Sequence, residues 1–170
     1  MRRLAISVCI GSGLTEEAVA VIGRLAVTDS DGAVRAMAAE ALGGAGGGAA
    51  EVLDAVRSDD DPRVREAVAT AYGELRHGAA VPWLIDLAVS GGDRAGREAA
   101  VAALGEQAIG AGRWQPGGVF EYRRRDGHAV RHQGRAVRVV AAAPGARIQQ
   151  PAVHIGVMNL RGVGVLQLVQ

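Results

Sequence analysis

Residues 61–75, with the sequence D-P-R-V-R-E-A-V-A-T-A-Y-G-E-L, have all the features of an amphipathic helix. Asp61 can cap the helix by accepting a backbone N–H bond, and Pro62 suits the first helical position because its missing donor is not needed there. Apolar side chains then follow at steps of three and four residues, which places them on one side of a helix. They are Val64, Ala67, Val68, Ala71, Tyr72 and Leu75. We therefore predict a helix whose apolar side, including Val68 and Tyr72, lies in a core.

Similar stretches recur along the chain. Arg35 and Arg65 are 30 residues apart, and Arg65 and Arg97 are 32 apart. Glycines at positions 43, 73 and 105 repeat at the same two intervals, and Arg3 stands 32 residues before Arg35. A regular period of this length is typical of stacked helical repeats. The sequence therefore predicts an all-α, right-handed α-solenoid of short helix pairs whose first helix covers residues 3–11.

The repeated polar residues have a structural interpretation. In three units an aspartate stands four residues before an arginine, which is the favourable order for an ion pair on one helix. In a stack the arginines would form a ladder that could also reach the acids of the neighbouring unit. We expect this ladder to be structural rather than a ligand site. Its members are Asp31, Arg35, Asp61, Pro62, Arg65, Asp93 and Arg97.

The repeats resemble a known family. The pattern D-P-x-V-R-x-x-A-x-x-A-[LY]-G, followed by A-V-P-x-L at residues 80–84, resembles the short HEAT-like repeats of the phycobilin-lyase (E–Z) type. The resemblance covers about residues 3–107. It implies scaffolding or partner binding, with a minority of members attaching bilins or carrying out iron-dependent hydroxylation. We predict a protein-binding scaffold or adaptor without catalysis of its own. The alternative is a bilin-lyase-like or other protein-modifying enzyme subunit.

The motifs of common catalytic and metal sites are missing from the sequence. It contains no His-Glu dipeptide, no H-E-x-x-H and no C-x-x-C. The Gly-Ser-Gly at residues 11–13 does not continue as a dinucleotide-binding loop, because Glu16 stands where the third glycine belongs. The glycine-rich residues 43–50 read as a slack linker, and His77 as a solvated turn residue. No catalytic residue, metal or cofactor is therefore expected.

The composition favours a cytoplasmic protein. All 19 basic residues are arginine, which hints at a GC-rich bacterial genome, and the net charge of +1 gives no reason to expect a membrane partner. Cys9 is the only cysteine, which fits a reducing compartment and excludes an internal disulfide. Residues 1–10 imitate a short signal peptide, but the apolar run is too short and has no A-x-A cleavage pattern.

The charge balance changes near residue 109. Residues 1–107 carry ten arginines and sixteen acids, whereas the remainder carries nine arginines against Glu121 and Asp126. We therefore divide the chain into a repeat solenoid, residues 1–109, and a basic tail rich in Gly, Arg and Val, residues 110–170. The tail can be read as an arm for nucleic acid or an acidic partner, as a small β element, or as an out-of-frame segment. We favour an irregular or disordered, weakly β tail, and not nucleic acid as the partner.

One aromatic residue is a candidate contact for a protein partner. Trp83 falls off the apolar side formed by Val81, Leu84, Ile85 and Ala88, so its ring could be displayed on the surface. The alternative is that it packs against the next repeat. We predict a binding surface that comprises Trp83, Arg76 and Asp86, with another protein as the partner.

Overall fold

The computed structural model describes Arg2–Gly110 and, beyond it, residues 119–121, 131–132, 135–142 and 163–168. Within Arg2–Gly110 the chain forms seven α-helices, which confirms the predicted all-helical repeat architecture there. The helices are α1 Arg2–Ser12, α2 Glu16–Thr28, α3 Gly32–Gly43, α4 Ala50–Val56, α5 Pro62–Glu74, α6 Val81–Ser90 and α7 Arg94–Gly110. Short 3₁₀ turns, Gly47–Ala49 and Gly78–Ala80, lead into α4 and α6.

Four of the helices begin at polar side-chain caps, whereas α4 and α6 begin without one. Asp31 and Asp61 each accept a hydrogen bond of 2.9 Å from the backbone N–H two residues further on. Thr15 caps α2 through the N–H of residue 18 at 3.2 Å, and Asp93 accepts from the N–H of residue 96 at 2.6 Å. Each cap satisfies a donor that the first helical turn would otherwise leave without a partner. Local chemistry alone therefore defines these helix starts.

The chain forms two compact units, Met1–His77 and Gly78–Gln170. In the first unit α3 packs against α1, α2 and α5, and α4 packs against α2 and α5. Gly43 makes the contact of α3 with α5 close, because a Cβ there would lie only 3.1 Å from the Cα of Ala71. Val68 and Tyr72 are fully buried, as predicted. The other large core side chains of this unit are Ile6, Ile22, Leu42, Leu53 and Val64.

In the described part of the second unit, four strands accompany α6 and α7. The strands are β1 Val119–Glu121, β2 Arg131–His132, β3 Arg135–Ala142 and β4 Val163–Leu168. β3 pairs antiparallel with each of the others, in the registers Val119↔Val140, Arg131↔Ala136 and Val137↔Leu168. β4 also contacts α7. These strands agree with a weakly β tail, whereas the domain boundary at residues 109–110 stays a prediction.

Candidate functional site

The three ladder arginines share a contact that the sequence did not reveal. Each donates a hydrogen bond from Nη1 to the backbone carbonyl six residues earlier, in the turn before its own helix. The distances are 2.9 Å for Arg35 to Asp29, 2.7 Å for Arg65 to Asp59 and 2.8 Å for Arg97 to Gly91. A buried carbonyl is costly without a donor, so each arginine stabilises the turn that orients its helix.

Arg35 also connects two successive repeats. Its Nε and Nη2 donate to the two carboxylate oxygens of Asp59 at 2.7 and 2.8 Å. The two side chains are only 18% and 13% exposed. The hydrogen bonds from Arg35 hold the pKa of Asp59 below its ordinary value. Arg35 therefore binds an acid of the neighbouring unit, whereas the carboxylate of Asp31 caps α3.

Asp61 is occupied by structural contacts as well. Nε and Nη2 of Arg63 donate to its carboxylate at 3.0 and 2.6 Å. These side-chain bonds, followed by the backbone N–H of Arg63, lower the pKa of Asp61 to about 2. The carboxylate lies directly on Gly32, where any Cβ would overlap it. The polar groups at these turns thus hold helix ends and repeats together, which leaves the helix surfaces as candidates for binding.

The predicted contact residues lie in different settings. Trp83 is half-buried on α6, and Asp86, one helical turn later, is exposed. Arg76 is exposed and has a φ of 50°, the left-handed conformation that usually selects glycine after a helix. It ends α5, where His77 N–H reaches the carbonyl of Tyr72 at 3.2 Å. Arg76 belongs to the first compact unit and the other two to the second, so their common surface stays a prediction.

His77 was expected to be solvated, and this expectation is wrong. Its ring is half-buried and stacks on Tyr72 with centroids 5.6 Å apart. The hydroxyl of Tyr72 donates to Asp54 at 2.6 Å. Burial, followed by this hydrogen bond, raises the pKa of Tyr72. The His77 ring packs on Tyr72 and covers the end of α5, because the turn at Arg76 brings His77 back over the helix.

A groove of about 660 Å³ lies between α2 and α4 in the first unit. Valines supply much of its apolar lining, at positions 19, 27 and 52. Gly23 brings the two helices close, because a Cβ there would stand 3.4 Å from a methyl carbon of Val52. The charged side chains at the groove are Glu16, in the first turn of α2, and Arg24. The site is therefore an apolar surface depression with one acid and one base.

The glycine-rich residues 43–50 form one wall of this groove. Ala45, Gly48 and Ala49 line it, and residues 47–49 form a 3₁₀ turn. Gly46 has a φ of 86°, which a side chain would oppose. Residues 43–50 were expected to form a slack linker. This expectation is wrong, because the segment has a defined backbone conformation and lines the groove.

Among the residues that the structure describes, no group of three or more His, Cys, Asp or Glu side chains is arranged to hold a metal ion. No helix in the same part of the chain combines the length and the apolar character needed to cross a bilayer.

The family of HEAT repeats matches residues 49–111, the segment that holds α4 to α7. Residues 49–111 are therefore similar to HEAT repeats, as the cap, arginine and glycine pattern predicted. The match does not extend to the narrower phycobilin-lyase type. No curated protein and no solved structure matches the chain.

Proposed function

We propose that this protein is a scaffold or adaptor, without catalysis of its own, that holds a segment of another protein in the groove between α2 and α4. The groove is the observation that carries the proposal. Its volume of about 660 Å³ is sufficient for several side chains of a partner. The HEAT-like repeats support the proposal, because stacked helix pairs commonly present extended protein-binding surfaces.

The lining suggests the chemistry of the partner. Val27 is 49% exposed, so a partner side chain placed against it would remove apolar surface from water. Glu16 and Arg24 stand eight residues apart on α2, which separates the two charges by about two helical turns. An amphipathic helix with apolar residues at steps of three and four, and with a base and an acid two turns apart, would match both features.

A pair of matched variants tests the groove. Ala20 and Ala55 are both exposed alanines on the second helix of a pair, but only Ala20 lines the groove. Ala20→Arg should block the groove. Ala55→Arg adds the same side chain on α4, at a position that does not line the groove. With the purified chain as bait in an extract of its native host, wild type and Ala55→Arg should capture the same partners and Ala20→Arg should lose them. Equal capture by all three proteins, with equal helical circular dichroism, would contradict the proposal.

The competing proposal is a bilin-lyase-like or other protein-modifying enzyme subunit, and the sequence resemblance is its support. Visible absorbance of the purified chain, with and without added bilin or iron, distinguishes the two functions. A new absorbance band that persists through gel filtration would favour the enzyme.

We also propose a cytoplasmic location, supported by the single cysteine and its fit to a reducing compartment. Fractionation of the native host, with detection by antibody, tests this location.

A further proposal places a domain boundary near residues 109–110, supported by the change from an acidic to a basic sequence. Limited trypsin digestion should then cut first after residue 110 and leave a helical fragment. Early cleavage within the helices would contradict the boundary.

A further inference from the structure

The end of the groove where α2 begins lies beside the ends of α3 and α5. Leu14, which lines the groove, stands 3.8 Å from the position of a Cβ on Gly44, directly after α3. The carboxylate of Glu74, the last residue of α5, lies over Gly43, where any Cβ would overlap it. The start of the groove and the ends of two helices therefore meet around two adjacent glycines.

This end of the groove carries an excess of acids. Glu16 lines the groove in the first turn of α2. Burial, followed by the charge of Glu40 on α3, raises the pKa of Glu74. Within the part of the chain that the structure describes, none of these three acids forms an ion pair. Arg76 follows Glu74 by two residues and is exposed, so it offsets only part of this negative charge.

The opposite end of the groove is basic. Arg24 lines it about two helical turns further along α2, and its side chain is exposed. Asp29, which follows α2, is 1% exposed and lies 3.2 Å from Nε of Arg2. On α4, the carboxylate of Asp54 pairs with Arg57 at 3.4 Å. Because both of these acids already have a base, Arg24 defines the charge at this end.

A partner segment in the groove has to match this asymmetry of charge. A charged side chain that enters a partly apolar groove loses water, and an unlike charge opposite it restores part of that loss. A segment with bases at one end would place one base opposite Glu16 and others toward Glu40 and Glu74. Its acid would lie near Arg24. A segment with the opposite charges would bring its acids against the acids of the groove.

We propose that the groove selects a net basic helical segment whose bases are gathered at the end that lies beside the start of α2. This inference rests on the proposed function, and it adds which charge the partner carries and at which end. The apolar lining makes the contact common to any amphipathic helix, whereas the acids at the start of the groove discriminate among such helices.

Binding of two synthetic peptides to the purified full chain, measured by fluorescence anisotropy, tests the inference. Both peptides carry leucines at steps of three and four and one acid near one end. The other end carries lysines in the first peptide and glutamates in the second. The lysine peptide should bind about tenfold more tightly at low salt, and this ratio of affinities should fall as salt screens the charges.

Neutral variants of single acids show whether the groove causes the difference. Glu16→Gln and Glu74→Gln should each lower the ratio of affinities about threefold. Asp60→Asn is the matched control, because Asp60 is an exposed acid in the turn before α5, and it should leave the ratio unchanged. Since the same two peptides are compared throughout, a change in the ratio does not depend on the helicity of the free peptides.

Ala20→Arg separates this inference from the proposed function. If neither peptide binds the wild-type chain, or if both bind Ala20→Arg equally well, the proposed function fails and this inference fails with it. If Ala20→Arg loses both peptides but the wild-type chain binds them equally, the groove is retained and the inference is overturned. A ratio that Glu16→Gln leaves unchanged overturns it as well.

Discussion

Replacing Arg35 by alanine removes a side chain that joins the turns of two successive repeats. The variant loses two bonds to Asp59, at 2.7 and 2.8 Å, and one to the carbonyl of Asp29, at 2.9 Å. A hydrogen bond to a charged group contributes about 1.5–3 kcal/mol, and breaking a fully buried pair costs about 3–5 kcal/mol. Because the side chains of Arg35 and Asp59 are 18% and 13% exposed, water can partly replace the hydrogen bonds that the variant loses. We expect the variant to be less stable by about 2–3 kcal/mol.

The loss should depend on pH. Arg35 lowers the pKa of Asp59 in the folded protein, so the associated stabilisation is fully present above the unfolded pKa of about 3.9. It disappears as the pH falls through the lower, folded pKa, because the carboxyl is then protonated in both states. The difference in unfolding free energy between wild type and Arg35→Ala should therefore be largest near neutral pH and shrink in acid.

Urea unfolding followed by helical circular dichroism, at neutral and acidic pH, measures both effects. Arg35→Lys should fall between wild type and alanine, since an ammonium group retains the charge but cannot make the paired contact. Arg94→Ala is the control, because Arg94 is 82% exposed in its pair with Glu98, and its midpoint should hardly move. Equal midpoints for Arg35→Ala and Arg94→Ala, or a loss that does not vary with pH, would refute the reasoning.

Three substitutions test the core and the end of α5, each by denaturant midpoint. Val68→Asp buries a carboxylate at a fully inaccessible position and should cost about 3–5 kcal/mol, so an unchanged midpoint would mean that the helix face is wrongly assigned. Tyr72→Phe removes the 2.6 Å bond to Asp54 and should cost about 1 kcal/mol, and no change would show that the bond contributes nothing. Arg76→Gly relieves a φ of 50° and should stabilise by about 0.5–1 kcal/mol, whereas a loss would show that the arginine side chain matters more than its backbone.

The helices could be predicted from the sequence because their signals are local. Asp61 and Pro62 specify a start within one turn, and the spacing from Val64 to Tyr72 specifies the buried side. Thr15 likewise caps α2 through a residue three positions along the chain. Such features require only a few neighbouring residues, so tertiary packing did not override them.

The contacts between separate helices and turns could not be predicted from the sequence. Arg35 was expected near Asp31 as well as near a neighbouring unit, and only the stacking of the turns selects Asp59, which lies 24 residues away. The groove depends on Gly23 approaching Val52 from another helix, and no spacing within α2 indicates that approach. His77 stacks on Tyr72 because the intervening turn adopts a left-handed conformation at an arginine, where sequence rules favour glycine.

Repeat register relates the predicted Trp83 to the observed groove. Buried leucine or isoleucine recurs at intervals of 31 residues in α2, α4 and α6, at positions 22, 53 and 84. The residue just before each is apolar and at least partly accessible: Val21, Val52 and Trp83. Val52 lines the groove, and Trp83, which does not line it, holds the same register position on α6. We propose Trp83 as a separate contact for a partner on the second unit, so Trp83→Ala should weaken capture of the partner without changing helical circular dichroism. A variant that instead melts early would show that Trp83 packs within its own unit, and the register argument would fail.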